Sequence, residues 1–338
     1  MAQTASPTTD TTAWHQLADE VLSGHTLSTE QALGIMRCPD DQLLNLLAAS
    51  YQIRQHYFGN KVQLYFLMNA KSGLCPEDCG YCSQSKVSTA EVPKYNILNR
   101  EKLLEGAELA DQQNAGTYCL VISARGPSER ELAAVEAIVP EIKQRHDLRI
   151  CACLGLLDDE QADRLKRAGV DRVNHNLNTS RQFYEQICTT HSFQDRLDTL
   201  RSVRQAGMEI CCGGIIGMGE SDEDVVSMAL ELRQLEVASI PLNFLNPIEG
   251  TPLQDEGKLS PQYCLKALAM FRFTNPDCEL RIAGGRELQL GSMQPLGLYP
   301  ANSLFVGDYL TTAGQPPAED LQMIRELGME VAGEAVSG

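Results

Sequence analysis

Apolar positions repeat along this chain in two different ways, and the two alternate. From Thr12 to about Asn60 they recur at helical spacing, through HQLADEVLSG, TEQALGIMR and DQLLNLLAASYQIRQHYFG. Ser28 followed by Gln31 has the form of a capping box and predicts a helix start. Strand-like runs follow at VQLYFLMNA, GTYCLVIS, LRICACLG, RVNHNLN, MEICCGGII, IPLNFLNP, ELRIAG and SLFVGDY. Between most of them lie helix-like segments such as EKLLEGAELADQQ, ERELAAVEAIVPEIKQR, DEQADRLKRAG, FQDRLDTLRSVRQAG and DEDVVSMALELRQL. Glycine after the helices, as in RAG (167–169) and QAG (205–207), predicts C-caps ahead of strands.

Eight strand runs alternating with helices predict an α/β fold, a (β/α)8 barrel of the TIM type with an N-terminal helical extension. The length of 338 residues accommodates a barrel of about 250 residues with extensions. The expected layout is a disordered tail at 1–12, N-terminal helices at 13–60, the barrel at 61–312, and a C-terminal helix and tail at 313–338.

Charge narrows the partners. A net charge of −17 repels phosphate backbones and argues against nucleic acid. No stretch is long and apolar enough to span a bilayer, and MAQTASPTTDTT has neither the basic start nor the apolar run of a secretory signal. A chain of this size with twelve cysteines and no export signal points to metal or redox chemistry in the cytoplasm rather than to disulfides.

The most informative cysteines are Cys75, Cys79 and Cys82, in KSGLCPEDCGYCSQS at C-x3-C-x2-C spacing. They follow the first strand run, so they belong to a loop at a strand's C-terminal end, where barrels carry their chemistry. Three thiolates on a short loop wrap one cubane cluster and leave one iron open to a substrate. Zinc is the alternative, but it favours four closed ligands, often as paired C-x2-C knuckles, and no second knuckle follows. The loop closely resembles that of the radical S-adenosylmethionine superfamily. That resemblance implies a 4Fe–4S cluster with S-adenosyl-L-methionine on the open iron and Tyr81 beside the adenine.

Cys119, Cys151, Cys153, Cys211 and Cys212 fall within predicted strands. Side chains alternate across a barrel wall, so Cys151 and Cys153 share a face while Cys211 and Cys212 point opposite ways. Any one of them is equally a small core hydrophobe, and spacing does not choose among them. Cys38, Cys188, Cys264 and Cys278 read as structural, and His146, His175 and His191 form no spaced metal pair.

Over roughly residues 60–312 the chain resembles the biotin synthase family. The segments that carry the likeness are CPEDCGYCSQS (75–85), YNIL (95–98), VNHNLNTS (173–180), TTHSFQDRLDTL (189–200), GGIIGMGE (213–220), GTPL (250–253), RIAGGRE (281–287) and PANSLFVGDYLTT (300–312). The resemblance implies a sulfurtransferase that converts dethiobiotin to biotin, with sulfur supplied by an auxiliary 2Fe–2S cluster. It implies Cys119, Cys151, Cys211 and Arg281 as ligands of that cluster, and Cys153 and Cys212 as non-ligands. It places Asn176 against both S-adenosylmethionine and substrate, Asn178 on the ribose, and Gly213, Gly214 and Ile215 against the adenine. Where the family often has Asp, this chain has Asn178, whose amide still donates and accepts hydrogen bonds. Asn243, Thr311 and Thr312 match positions that hold dethiobiotin. A flavodoxin or ferredoxin electron donor and a homodimer are implied as well. Two rival readings are a hydrogenase-cofactor maturase on a similar barrel, against which Arg281 and the strand cysteines argue, and a plain electron carrier, which needs no open iron.

Overall fold

The computed structural model describes residues 12–256 and 259–333. The stretch expected to be a disordered tail therefore lies outside the described residues, apart from Thr12, which opens the first helix. Among the described residues ten strands form one sheet: β1 (Lys61–Lys71), β2 (Thr117–Ile122), β3 (Arg149–Cys153), β4 (Arg172–Asn174), β5 (Glu209–Cys211), β6 (Gly214–Ile216), β7 (Ser239–Phe244), β8 (Glu279–Ile282), β9 (Ser303–Val306) and β10 (Glu330–Val331). The named ladders are all parallel, and pairing of β1 with β9 closes the barrel. Helices between successive strands, among them Arg100–Gln112, Glu129–Arg145, Asp159–Ala168, Phe193–Gln205, Asp222–Gln234 and Pro261–Thr274, cover the outside. This is the expected eight-position α/β barrel.

Local chemistry explains why the elements start and stop where they do. Side-chain oxygens of Ser28, Ser128, Asp158, Ser192 and Ser221 each cap a helix in a full capping box. Gly169 ends its helix in the left-handed region at φ 96°, where a Cβ would be strained.

Two features depart from the sequence pattern. The fifth strand run, MEICCGGII, is split into β5 and β6. Pro241 of β7 has no N–H to give the ladder at that level. Beside it, a Cβ on Gly213 would lie 2.0 Å from the Pro241 carbonyl oxygen. Gly213→Ala is therefore expected to destabilise the protein by about 2–3 kcal/mol, the size of an overpacked core contact, read as a lower denaturant midpoint. The second departure is β10, which pairs with the first residues of β1 after the helix Pro317–Glu326. Two strand residues are too few to leave a period in the sequence.

Alternation sorts the wall. Leu64, Tyr118, Leu120, Ile150, Ala152, Val173, Ile210, Cys212, Ile240 and Leu304 belong to the large core beneath the helices. Tyr65, Cys119, Val121, Cys151, Cys211, Ala283 and Phe305 form a separate inner cluster. Among the described residues, no helix is long and apolar enough to cross a membrane.

Candidate active site

A cavity of about 410 Å³ opens at the C-terminal ends of the strands. Cys75, Cys79 and Cys82 line it on one side, with Tyr81. Burial pushes the thiols of Cys75 and Cys82 up, Cys82 to about 11, so metal binding here must release protons. The loop is clamped from beneath: Gly80 N–H donates to the Ile187 carbonyl at 2.8 Å, and Asp78 accepts from the backbone N–H groups of Thr189 and Thr190.

The strand ends supply the rest of the wall. Asn176, Asn178, Ile215, Asn243, Thr311 and Thr312 all line the cavity. Asn178 sits in the left-handed region at φ 70°, a conformation Asn and Asp tolerate better than most side chains. Its Nδ2 donates to the Tyr81 hydroxyl at 2.5 Å, which ties the cysteine loop to the fourth strand run. Asn176 Oδ1 accepts from Gly213 N–H at 3.0 Å, and Asn243 Oδ1 accepts from Gly284 N–H at 2.9 Å. Ser83 and Thr311 hydroxyls share a hydrogen bond of 2.9 Å.

Gly213 and Gly214 do not line the cavity, unlike Ile215. A Cβ on Gly214 would meet Met228 Sδ at 2.2 Å, so packing beneath the site leaves no room for a side chain there. Glu220, at the end of the same motif, accepts from Gly217 and Met218 N–H groups and fixes the turn.

Deeper in the barrel, three thiols converge. β2 and β3 pair Cys119 with Cys151, and both share one buried inner cluster with Cys211. Arg281 reaches the same point from β8. Its Nη1 lies 3.8 Å from Cys211 Sγ, while Nε donates to Ser303 at 3.0 Å and Nη2 to Ser239 at 2.8 Å and Glu279 at 2.7 Å. Burial opposes charge on Glu279, but Arg281 and Arg172 hold its carboxyl down at about 2. Cys153 stands two residues up β3, on the cavity wall, and Cys212 faces the outer core.

Sequence reading missed three neighbours of the loop. Arg196 lines the cavity, buried, with Nη1 donating to the Asn176 carbonyl at 2.8 Å and Nη2 to His191 Nε2 at 2.8 Å. His191 also meets Glu77 through Nδ1 at 2.5 Å. Cys188 lies with its Sγ 3.7 Å from Cys79 Sγ. Arg196 and His191 fall inside TTHSFQDRLDTL, and that motif was the available signal.

The donor sets suit iron and sulfur. Three thiols on one loop, beside a cavity with open space, fit a cluster with an exchangeable position. Three further thiols in an apolar pocket fit a second, closed one. His175 fits a bound molecule: its Nε2 is buried without a partner and the residue lines the cavity.

A closed parallel barrel with this cysteine loop defines a radical S-adenosylmethionine enzyme, and the Radical SAM superfamily matches residues 71–232. The Biotin and Thiamin Synthesis associated domain matches residues 241–330. A biotin synthase of Rhodopirellula baltica is 65% identical over 94% of this chain and 88% of its own length. One from Geobacillus kaustophilus is 57% identical over 94% and 96%. The chain belongs to the biotin synthase family: it is a sulfurtransferase that inserts sulfur into dethiobiotin, with a 4Fe–4S cluster, S-adenosylmethionine and a 2Fe–2S cluster as cofactors. Methylornithine synthase shares the fold, with a TM-score of 0.83 at 20% identity over 94% of this chain and 97% of that one.

Proposed function

We propose that Cys75, Cys79 and Cys82 hold the 4Fe–4S cluster, and that Cys119, Cys151, Cys211 and Arg281 hold the 2Fe–2S cluster. The observation that carries this is the segregation of the thiols: one trio on the loop at the cavity wall, a second trio in one buried cluster inside the barrel. When bound, the first cluster with S-adenosylmethionine supplies hydrogen abstraction from dethiobiotin, and the second supplies sulfur.

The chain's residues position and enclose. Tyr81, Asn178 and Ile215 form the wall for the adenosyl group, with Asn178 as the ribose partner. Gly213 and Gly214 support that wall from behind. Asn176, between the two depths of the barrel, serves both S-adenosylmethionine and dethiobiotin. Asn243 presents an amide to the ureido end of dethiobiotin, and Thr311 and Thr312 face its carboxylate. Arg196 places a buried cation on the same wall. Strand walls and helices exclude water, so a reactive species meets substrate before solvent.

At Arg281, Nε and Nη2 are held by Ser303, Ser239 and Glu279, which leaves Nη1 for the cluster. Glu279 favours the protonated guanidinium, so ligation requires that Nη1 give up a proton.

A flavodoxin or ferredoxin is the proposed electron donor. Leu74 and Val87, exposed on either side of the cysteine loop, support docking there. The cytoplasm is the proposed location, because twelve free cysteines persist in a reducing compartment. A homodimer is proposed on the family resemblance.

The test is Cys153→Ser beside Cys119→Ser in anaerobically reconstituted protein. Cys153→Ser is expected to keep the 2Fe–2S absorbance and Cys119→Ser to lose it. Loss in Cys153→Ser would overturn the ligand assignment.

A further inference from the structure

Cys188 is 109 residues from Cys79 in sequence, yet their sulfurs lie 3.7 Å apart, and Cys188 is buried. The turn after the short helix Tyr184–Ile187 puts it there. Thr189 and Thr190 N–H groups donate to Asp78 Oδ1 at 2.9 and 3.2 Å, and the Thr189 hydroxyl donates to Asp78 Oδ2 at 2.5 Å. The polar groups around Cys188 are largely committed elsewhere. Arg196 donates into His191 Nε2, so the ring proton sits on Nδ1 and points at Glu77. His191 Nδ1, at 3.3 Å from Cys188 Sγ, is therefore not an acceptor for the thiol. Asp78 Oδ1, at 3.3 Å, is the competing acceptor for the Cys188 thiol, and it already takes two backbone N–H groups and the Thr190 hydroxyl. Thr190 Oγ1 lies 3.6 Å away and accepts from Asp78 N–H.

We propose that Cys188 is a positioning residue for the 4Fe–4S cluster: its S–H donates to the metal-bound Cys79 thiolate and raises the reduction potential of the cluster. The inference rests on Cys79 being a cluster ligand. A ligating thiolate is an acceptor only, so between these two sulfurs the one proton belongs to Cys188. Hydrogen bonds to cluster sulfurs draw off negative charge and favour the state with the extra electron. No bond to Cys188 forms or breaks; the one electron comes from the external donor.

The experiment compares wild type, Cys188→Val and Cys188→Ser, each anaerobically reconstituted, with iron content, the EPR signal of the reduced cluster and its midpoint potential measured. Val keeps bulk and removes the donor; Ser keeps a donor. Expected are full cluster loading in all three, a more negative potential in Cys188→Val, and recovery toward wild type in Cys188→Ser. S-adenosylmethionine cleavage under a limiting reductant should slow roughly two- to tenfold in Cys188→Val, the range of one ordinary hydrogen bond. An unchanged potential in the loaded Val variant would overturn the inference, and so would equal shifts in Val and Ser. Failure of the Ser variant to load would also overturn it, because Cys188 would then be needed for structure or ligation. Absence of the cluster from wild type would overturn the ligand assignment itself.

Discussion

Cys79→Ala is expected to abolish S-adenosylmethionine cleavage, by about three orders of magnitude or more, and to leave the protein folded. Cys79 lines the cavity within the short loop that also carries Cys75 and Cys82. Groups that act as a unit lose nearly everything when one is removed. The Cys75→Ala, Cys79→Ala and Cys82→Ala variants and the triple variant should therefore show one common residual rate. The check is deoxyadenosine formation under strong reductant, with the iron content of each variant. Substantial cleavage by any single variant would remove that cysteine from the ligand set.

The second large effect separates the two depths of the barrel. Cys151→Ala removes the thiol that pairs in register with Cys119 and shares its buried cluster with Cys211. It lies outside the cavity lining, so the upper site is untouched. Biotin formation should fall to background, the 2Fe–2S absorbance should disappear, and S-adenosylmethionine cleavage should stay within about threefold of wild type. Product mass analysis and deoxyadenosine release, run on the same samples, measure both. Loss of cleavage together with biotin would mean that the two sites are not independent.

Much of this was legible because the barrel writes itself in short-range patterns. Most strand runs are short and rich in apolar residues, most covering helices carry a polar face, and the cysteine loop is contiguous. The ligand choice among strand cysteines was not legible from spacing. Cys151 and Cys153 share a face, and only depth in the barrel separates one, among the other thiols, from the other, on the cavity wall. The resemblance supplied that choice; the geometry gives it a physical reason. Cys188 was unreadable for a different cause. Its nearness to Cys79 depends on a turn gripping Asp78, a contact that no sequence period encodes. The break between β5 and β6 needed the facing Pro241, which lies in another strand. The tight packing of Gly213 and Gly214 against Pro241, Met228 and Asn178 likewise depends on residues distant in sequence.

The two-cluster chemistry turns on where the inserted sulfur originates. Protein whose lower cluster is rebuilt with heavy-isotope sulfide, then incubated anaerobically with dethiobiotin, S-adenosylmethionine and reductant, should yield biotin carrying the heavy isotope. Biotin of natural isotopic mass from fully labelled protein would contradict it.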